Sequence, residues 1–160
     1  MRLKHSNKRR QRGSALIEIA VSYGTLVTVG MLTLKAAINT TSSQTWTVRQ
    51  TMSDAYMTRE TALASRIPFD DITTTGSLWS LYPSVTTSNV VIGKMPGGNN
   101  VTAELHRTRI PDPNNLTSAG GTGTDATNPS GTEAWKLQSL IVYEVGDKKY
   151  VKTRTTLRIR

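Results

Sequence analysis

The chain has 160 residues, enough for one domain, with no cysteine and a single phenylalanine. That excludes a disulfide-stapled scaffold and a cysteine-ligated zinc site, and the abundance of Thr and Ser suits a small β domain better than a large aliphatic core. The formal charge of +9 is unevenly placed: residues 1–13 carry six of the twenty basic side chains and no acid, so from Ser14 onward fourteen basic residues face eleven acidic ones, a net of +3.

The first element is therefore a basic leader, residues 1–13. Such a leader can bind nucleic acid or keep its end on the cytoplasmic side of a membrane. The apolar run behind it favours the membrane. From Ser14 to about residue 38 only Glu18 and Lys35 are charged, and residues 14–34 approach the ~20 positions that a helix needs to span the hydrocarbon layer. Gly24, Gly30 and several threonines interrupt the run, as small residues do where membrane helices approach one another.

Residues 39–67 are polar but lack Pro and Gly. Met52, Tyr56, Leu63 and Ile67 fall at i, i+4, i+11 and i+15, with Ala55 and Ala62 beside them, which predicts one helical stripe packed on a head. Pro68 ends the helix, because the residue before a proline is biased away from helical geometry. A helix from 14 to 67 would be roughly 80 Å long at 1.5 Å per residue, so its apolar first half is expected to project.

Residues 68–160 read as a β-rich head. Asn89–Met95 and Val101–Ile110 flank the turn-rich Pro96–Asn100 and predict a hairpin. Residues 111–132 are Gly, Thr, Asn and Pro throughout and predict a long surface loop. A second hairpin comes last. Leu137, Ile141, Tyr143 and Val145 alternate on one strand, Val151, Leu157 and Ile159 on the next, and Gly146–Lys149 forms the turn. The expected class is α+β, a long N-terminal helix and a C-terminal antiparallel sheet, with a small β-sandwich head as the alternative.

Little points to chemistry. His106 stands without a ligand cluster and reads as a surface or rim residue, and Asp70-Asp71 read as decoration of the turn after the helix. Phosphate loops, nucleophile elbows and metal-ligand spacings are missing, so no catalytic residue, no metal site and no cofactor are expected, and the chain does not read as an enzyme. Calcium is the one ion left open, through Asp125 and Glu133 at the Gly-rich loop. On the last strand Lys152, Arg154, Arg158 and Arg160 share a parity and should line one face, either solvated or a docking face for acidic groups such as DNA phosphates or a neighbouring subunit.

The junction of leader and apolar run is the most specific feature. A secretory signal places its small-residue cleavage site after the apolar core, whereas Gly13 precedes it. Cutting between Gly13 and Ser14 would leave the apolar helix intact, with an acid, Glu18, as its fifth residue. Arg12-Gly13-Ser14-Ala-Leu-Ile-Glu18 resembles the type IV prepilin family. The resemblance covers residues 8–38 by motif and extends to 67 by helix pattern. It implies cleavage after Gly13 by a prepilin peptidase, methylation of the new amino terminus at Ser14, and a Glu18 that pairs with a neighbouring subunit's amino terminus during assembly. Other implied partners are pilin or pseudopilin subunits and an inner-membrane assembly platform. The implied location is the bacterial inner membrane, single-pass with the head in the periplasm, and then the pilus or pseudopilus. Ser14 where major pilins usually have Phe or Met, Lys35 where a mid-helix proline is common, and the missing C-terminal cysteine pair favour a minor pilin or a type II secretion pseudopilin. The stretch from Gly13 to Ala20 also looks like Tad-type pseudopilins. The alternatives are a filament-tip module that binds DNA, a surface or a secreted substrate, and a membrane-anchored periplasmic domain that never polymerises.

Overall fold

A computed structural model describes the backbone from Lys8 to Arg160 and the side chains from Ala15 onward. The fold is α+β. One long helix, α1 (Lys8–Arg66), is followed by a short helix, α2 (Phe69–Thr73), and five strands: β1 (Ser80–Leu81), β2 (Thr86–Lys94), β3 (Asn100–Pro111), β4 (Ala134–Val145) and β5 (Lys148–Ile159). The chain forms two compact units divided between Thr45 and Trp46, so α1 contributes to both.

In the first unit every described side chain from Ala15 to Gln44 is exposed. This part of α1 holds one stretch long and apolar enough to cross a membrane. Its threonines are compatible with an apolar solvent because their hydroxyls turn back on the helix. Thr25 donates to the Ser22 carbonyl at 2.8 Å, Thr28 to Gly24 at 2.8 Å and Thr33 to Gly30 at 2.9 Å. A hydroxyl satisfied within its own helix avoids the cost of an unpaired polar group in hydrocarbon.

In the second unit the end of α1 lies across one face of the sheet. Pro68 has no N–H to continue the helix, and the last turn closes with Ile67 N–H on Leu63 O at 3.1 Å. The sheet order is β1-β3-β4-β5, with β2 beside β3 on the β1 side. All pairings are antiparallel except the short parallel β1–β3 contact. Both predicted hairpins form, each longer than its apolar pattern suggested. β2 and β3 join through a turn in which Gly97 and Gly98 take φ of 99° and 87°. β4 and β5 join through two residues, Gly146 and Asp147, with Gly146 at φ 60°, the first-position glycine of a tight hairpin.

Alternation along β3 and β4 builds the core. Val101, Ala103 and Leu105 of β3 and Leu137, Ile141 and Tyr143 of β4 face α1 and are buried. One cluster gathers around Met57, the other around Ala64, Ile72 and Trp79. β2 carries a bulge between Val91 and Gly93. A Cβ on Gly93 would lie 2.6 Å from Met52 Sδ, so the glycine admits the helix there.

Residues 111–132 form the long, mostly exposed loop expected, and side-chain amides hold it in place. Asn115, fully buried, accepts from Ala134 N–H at 2.8 Å and donates to Ala134 O at 2.9 Å, standing in for a strand partner at the start of β4. Asn128 donates to Asn114 O at 3.1 Å and Thr132 O at 2.8 Å and accepts from Thr132 N–H at 3.0 Å. Two long-range amide staples thus hold the segment without a core of its own.

Candidate functional site

The sequence singles out two places, one on each unit. In the first, Gly13 and Ser14 lie on the α1 backbone, but the Ser14 side chain falls outside the described residues, as does most of the 1–13 leader. Glu18 is exposed on α1, sharing a face with Ala15, Ser22 and Leu26 at helical spacing. Among the described residues it makes no hydrogen bond or ion pair, so a carboxylate stands on a largely apolar surface with no partner among them.

In the second unit the helix stripe is rotated by one position from the one the apolar residues suggest. Ser53, Met57, Glu60 and Ala64, at i, i+4, i+7 and i+11, are the buried residues of α1. Met52 and Tyr56 flank them and pack against the Met57 cluster, and Ile67 packs against the Trp79 cluster. Leu63 does not join either cluster and is 37 % exposed. Ala55 and Ala62 are exposed as well. Glu60 is 2 % exposed and receives Arg107 of β3 in a two-pronged pair, Nε to Oε2 at 2.8 Å and Nη2 to Oε1 at 2.7 Å. The Arg107 guanidinium also lies 5.5 Å from the Trp79 ring centre. Tyr56, beside this pair, has its pKa raised by burial and then by the Glu60 charge, against opposing pulls from Arg107 and Arg59.

The basic parity of β5 lies on the face that carries the helices: Lys152 and Arg158 reach α1, whereas Arg154 and Arg160 stay exposed. Lys152 Nζ meets Asp54 at 2.7 Å and Gln50 O at 3.2 Å. Arg158 Nη1 donates to Ala64 O at 2.5 Å and Ile67 O at 2.9 Å, closing the carbonyl end of α1. Arg160 pairs with Asp70 on α2. Arg154 is exposed and makes no hydrogen bond or ion pair among the described residues. Long basic stems reach from the sheet margin to the helices, where acceptors await them. Val151, Leu157 and Ile159, the apolar parity of the same strand, are left exposed on the outer face.

A further arginine caps α2 as Arg158 caps α1. Arg109, 6 % exposed, donates from Nη2 to Thr73 O at the end of α2, 3.2 Å away, and stacks over Trp135 at 5.5 Å. Burial lowers its pKa. Neither Glu60 nor Arg109 was visible as a site in the sequence. The one available signal was that Glu60 falls three residues from Met57 and four from Ala64.

Elsewhere a few titratable groups have close partners. His106 Nδ1 bonds Thr87 Oγ1 at 2.9 Å and its Nε2 lies 3.5 Å from Glu104. Asp70 and Asp71 lie in α2, a helical turn and not an extended segment. Where β3 and β4 part, a polar cleft opens near Glu104, Glu144, Lys149 and Arg49, but Lys149 pairs with Glu144 and Arg49 donates to the Glu144 carbonyl. Among the described residues no three His, Cys, Asp or Glu side chains gather in a way that could hold a metal ion, Asp125 and Glu133 included. No family model, curated protein or solved structure matches the chain.

Proposed function

We propose that this chain is a structural subunit, a minor pilin or pseudopilin, of a type IV pilus-like or type II secretion-like filament. It would be inserted in the inner membrane by the first part of α1, cut after Gly13 by a prepilin peptidase, methylated at Ser14 and passed by an assembly platform into a polymer of similar subunits. The observation that carries this reading is the position of Glu18. An acid early in a membrane-length apolar helix is costly, about 2.5–3.5 kcal/mol at the bilayer centre and less near its surface, and is kept where a partner compensates it. The chain supplies none among the described residues, whereas a neighbour's freed amino terminus, four residues before its own glutamate, would supply a cation in the same layer. Support also comes from the architecture, a single unbroken helix whose later part is the spine of an α+β head.

The filament-tip reading that relied on a basic docking face loses support, because Lys152, Arg158 and Arg160 are engaged with α1 and α2. The test is the mass of the mature chain in a host with a prepilin peptidase, together with its recovery in sheared filaments. Loss of residues 1–13 with a methylated Ser14 and recovery in the polymer is the expected result. An intact leader and a chain that stays in the membrane would leave a non-polymerising anchored domain.

A further inference from the structure

β5 forms one margin of the sheet, and among the described residues its outer edge is open. Glu133 and Arg160 exchange both backbone hydrogen bonds, at 3.2 and 2.8 Å. Bonded and non-bonded pairs alternate along an antiparallel ladder, so the even-numbered residues of β5 bond β4. The N–H and C=O groups of Val151, Thr153, Thr155, Leu157 and Ile159 therefore point to the side where no strand lies. The side chains of these residues stand on the outer face, with Val151, Leu157 and Ile159 more than half exposed. The strand has twelve residues, no proline or glycine, and no bulge. An edge of this kind is a template for another strand.

The opposite margin offers a matching edge. β2 pairs with β3 alone. Carrying the same alternation through β4 and β3 leaves Thr87, Asn89 and Val91 with free backbone groups and outward side chains, up to the bulge after Val91. β2 runs opposite to β5, since three antiparallel pairings separate them. A second copy set beside the first by displacement alone would thus bring its β2 against β5 in antiparallel sense, outer face beside outer face. Charge separates this arrangement from a symmetric one. β5 carries five basic residues and no acid, and two β5 strands side by side would line up like charges. β2 carries one charge, Lys94, beyond its bulge.

We propose that the free edge of β5 takes the β2 edge of a second copy of this chain, extending the sheet from head to head. The two copies would use different surfaces, so the contact does not close as a two-fold dimer and can propagate. The proposal rests on the filament reading for a setting in which heads lie side by side in one orientation.

The native chain has no cysteine, so introduced pairs report without background. Asn89→Cys is combined in the full-length chain with Thr153→Cys, Thr155→Cys or Leu157→Cys, three partners that cover three registers. Membranes are oxidised and run on a non-reducing gel. One double variant should give a ladder beyond the dimer, while mixing its two single variants should stop at the dimer. Adding Thr155→Pro, or Thr153→Pro where position 155 carries the cysteine, removes an N–H that points to the open edge and bonds nothing in β4, so it should abolish the ladder while leaving the melting temperature of the solubilised chain within a few degrees. Absence of a ladder in all three doubles overturns the proposal, and so does a dimer from Thr155→Cys alone, which would mean β5 against β5. Sheared filaments are scored in parallel. A ladder without filaments supports the edge contact and counts against the filament reading; filaments without a ladder do the reverse.

Discussion

Glu60 of α1 and Arg107 of β3, 47 positions apart in the chain, hold each other by two hydrogen bonds inside the head, and the Arg107 guanidinium lies over Trp79. The pair lies on the face of α1 that meets the sheet, beside buried Met57 and Ala64. Removing one partner leaves the other charge buried, at a cost of about 3–5 kcal/mol. Glu60→Ala and Arg107→Ala should each lower stability by that order in urea denaturation of the detergent-solubilised chain. Exchanging both for well-packed apolar residues should cost much less. Equal losses for the double and the single variants would show that the pair itself, and not a stranded charge, carries the energy.

The rotation of the stripe gives a sharp contrast between two neighbours. Met57 is fully buried and Leu63 is more than one-third exposed. Met57→Ala should cost about 2–5 kcal/mol, the usual range for truncating a buried long apolar side chain. Leu63→Ala should fall within about 0.5 kcal/mol, as surface substitutions do. Reversal of this order in the same denaturation assay would return the stripe to the Leu63 side.

Arg158 closes the end of α1 on two carbonyls, Ala64 and Ile67. Hydrogen bonds to a charged group contribute about 1.5–3 kcal/mol. Arg158→Met keeps most of the stem and loses the donors, and should destabilise by that order. Arg154→Met, on the same strand with no such bond, should be near neutral. The comparison is made by thermal melts of the two variants side by side.

The features legible in the sequence were those carried by local rules. Pro68 ends α1 within a residue of its predicted end, and the Gly-rich turns join both hairpins. What escaped depends on pairs distant in the chain. Ser53, Glu60 and Ala64 do not stand out as apolar, so a pattern of large hydrophobic residues places the stripe one position away. β5 interleaves an apolar parity with a basic one, and which of the two shares the helix face is set by its register with β4 and by acceptors such as Asp54 and the α1 carbonyls, which lie far away in the chain. The 111–132 segment owes its order to the amides of Asn115 and Asn128, whose partners no local pattern reveals. On the first unit the position of Glu18 was plain from spacing alone, because a lone acid in an apolar run needs no tertiary context to stand out.

The Gly13-Ser14 junction yields a prediction of its own. Gly13→Ala should block removal of residues 1–13, read as the mass of the chain from cells that contain the peptidase. Normal trimming in this variant would place the cut elsewhere and detach Glu18 from its role as the fifth mature residue.

Glu18 separates an anchor from a filament subunit most directly. If the carboxylate only sits near the membrane surface, Glu18→Ala should ease insertion and change nothing else, since an acid in the apolar layer is a cost. If it pairs with a neighbour's amino terminus, insertion and leader removal should both proceed, because the cleavage site is Gly13-Ser14. Only assembly should fail: the incoming amine would be buried without its partner, at a cost of about 3–5 kcal/mol. Glu18→Gln preserves the shape and loses the charge, so it should behave like Glu18→Ala. Glu18→Asp keeps the charge on a shorter arm and should assemble in part. Insertion, leader removal and recovery in sheared filaments are scored separately for each variant. Wild-type recovery of both Glu18→Ala and Glu18→Gln would remove the pairing mechanism, and the filament reading would then rest on the cleavage motif alone.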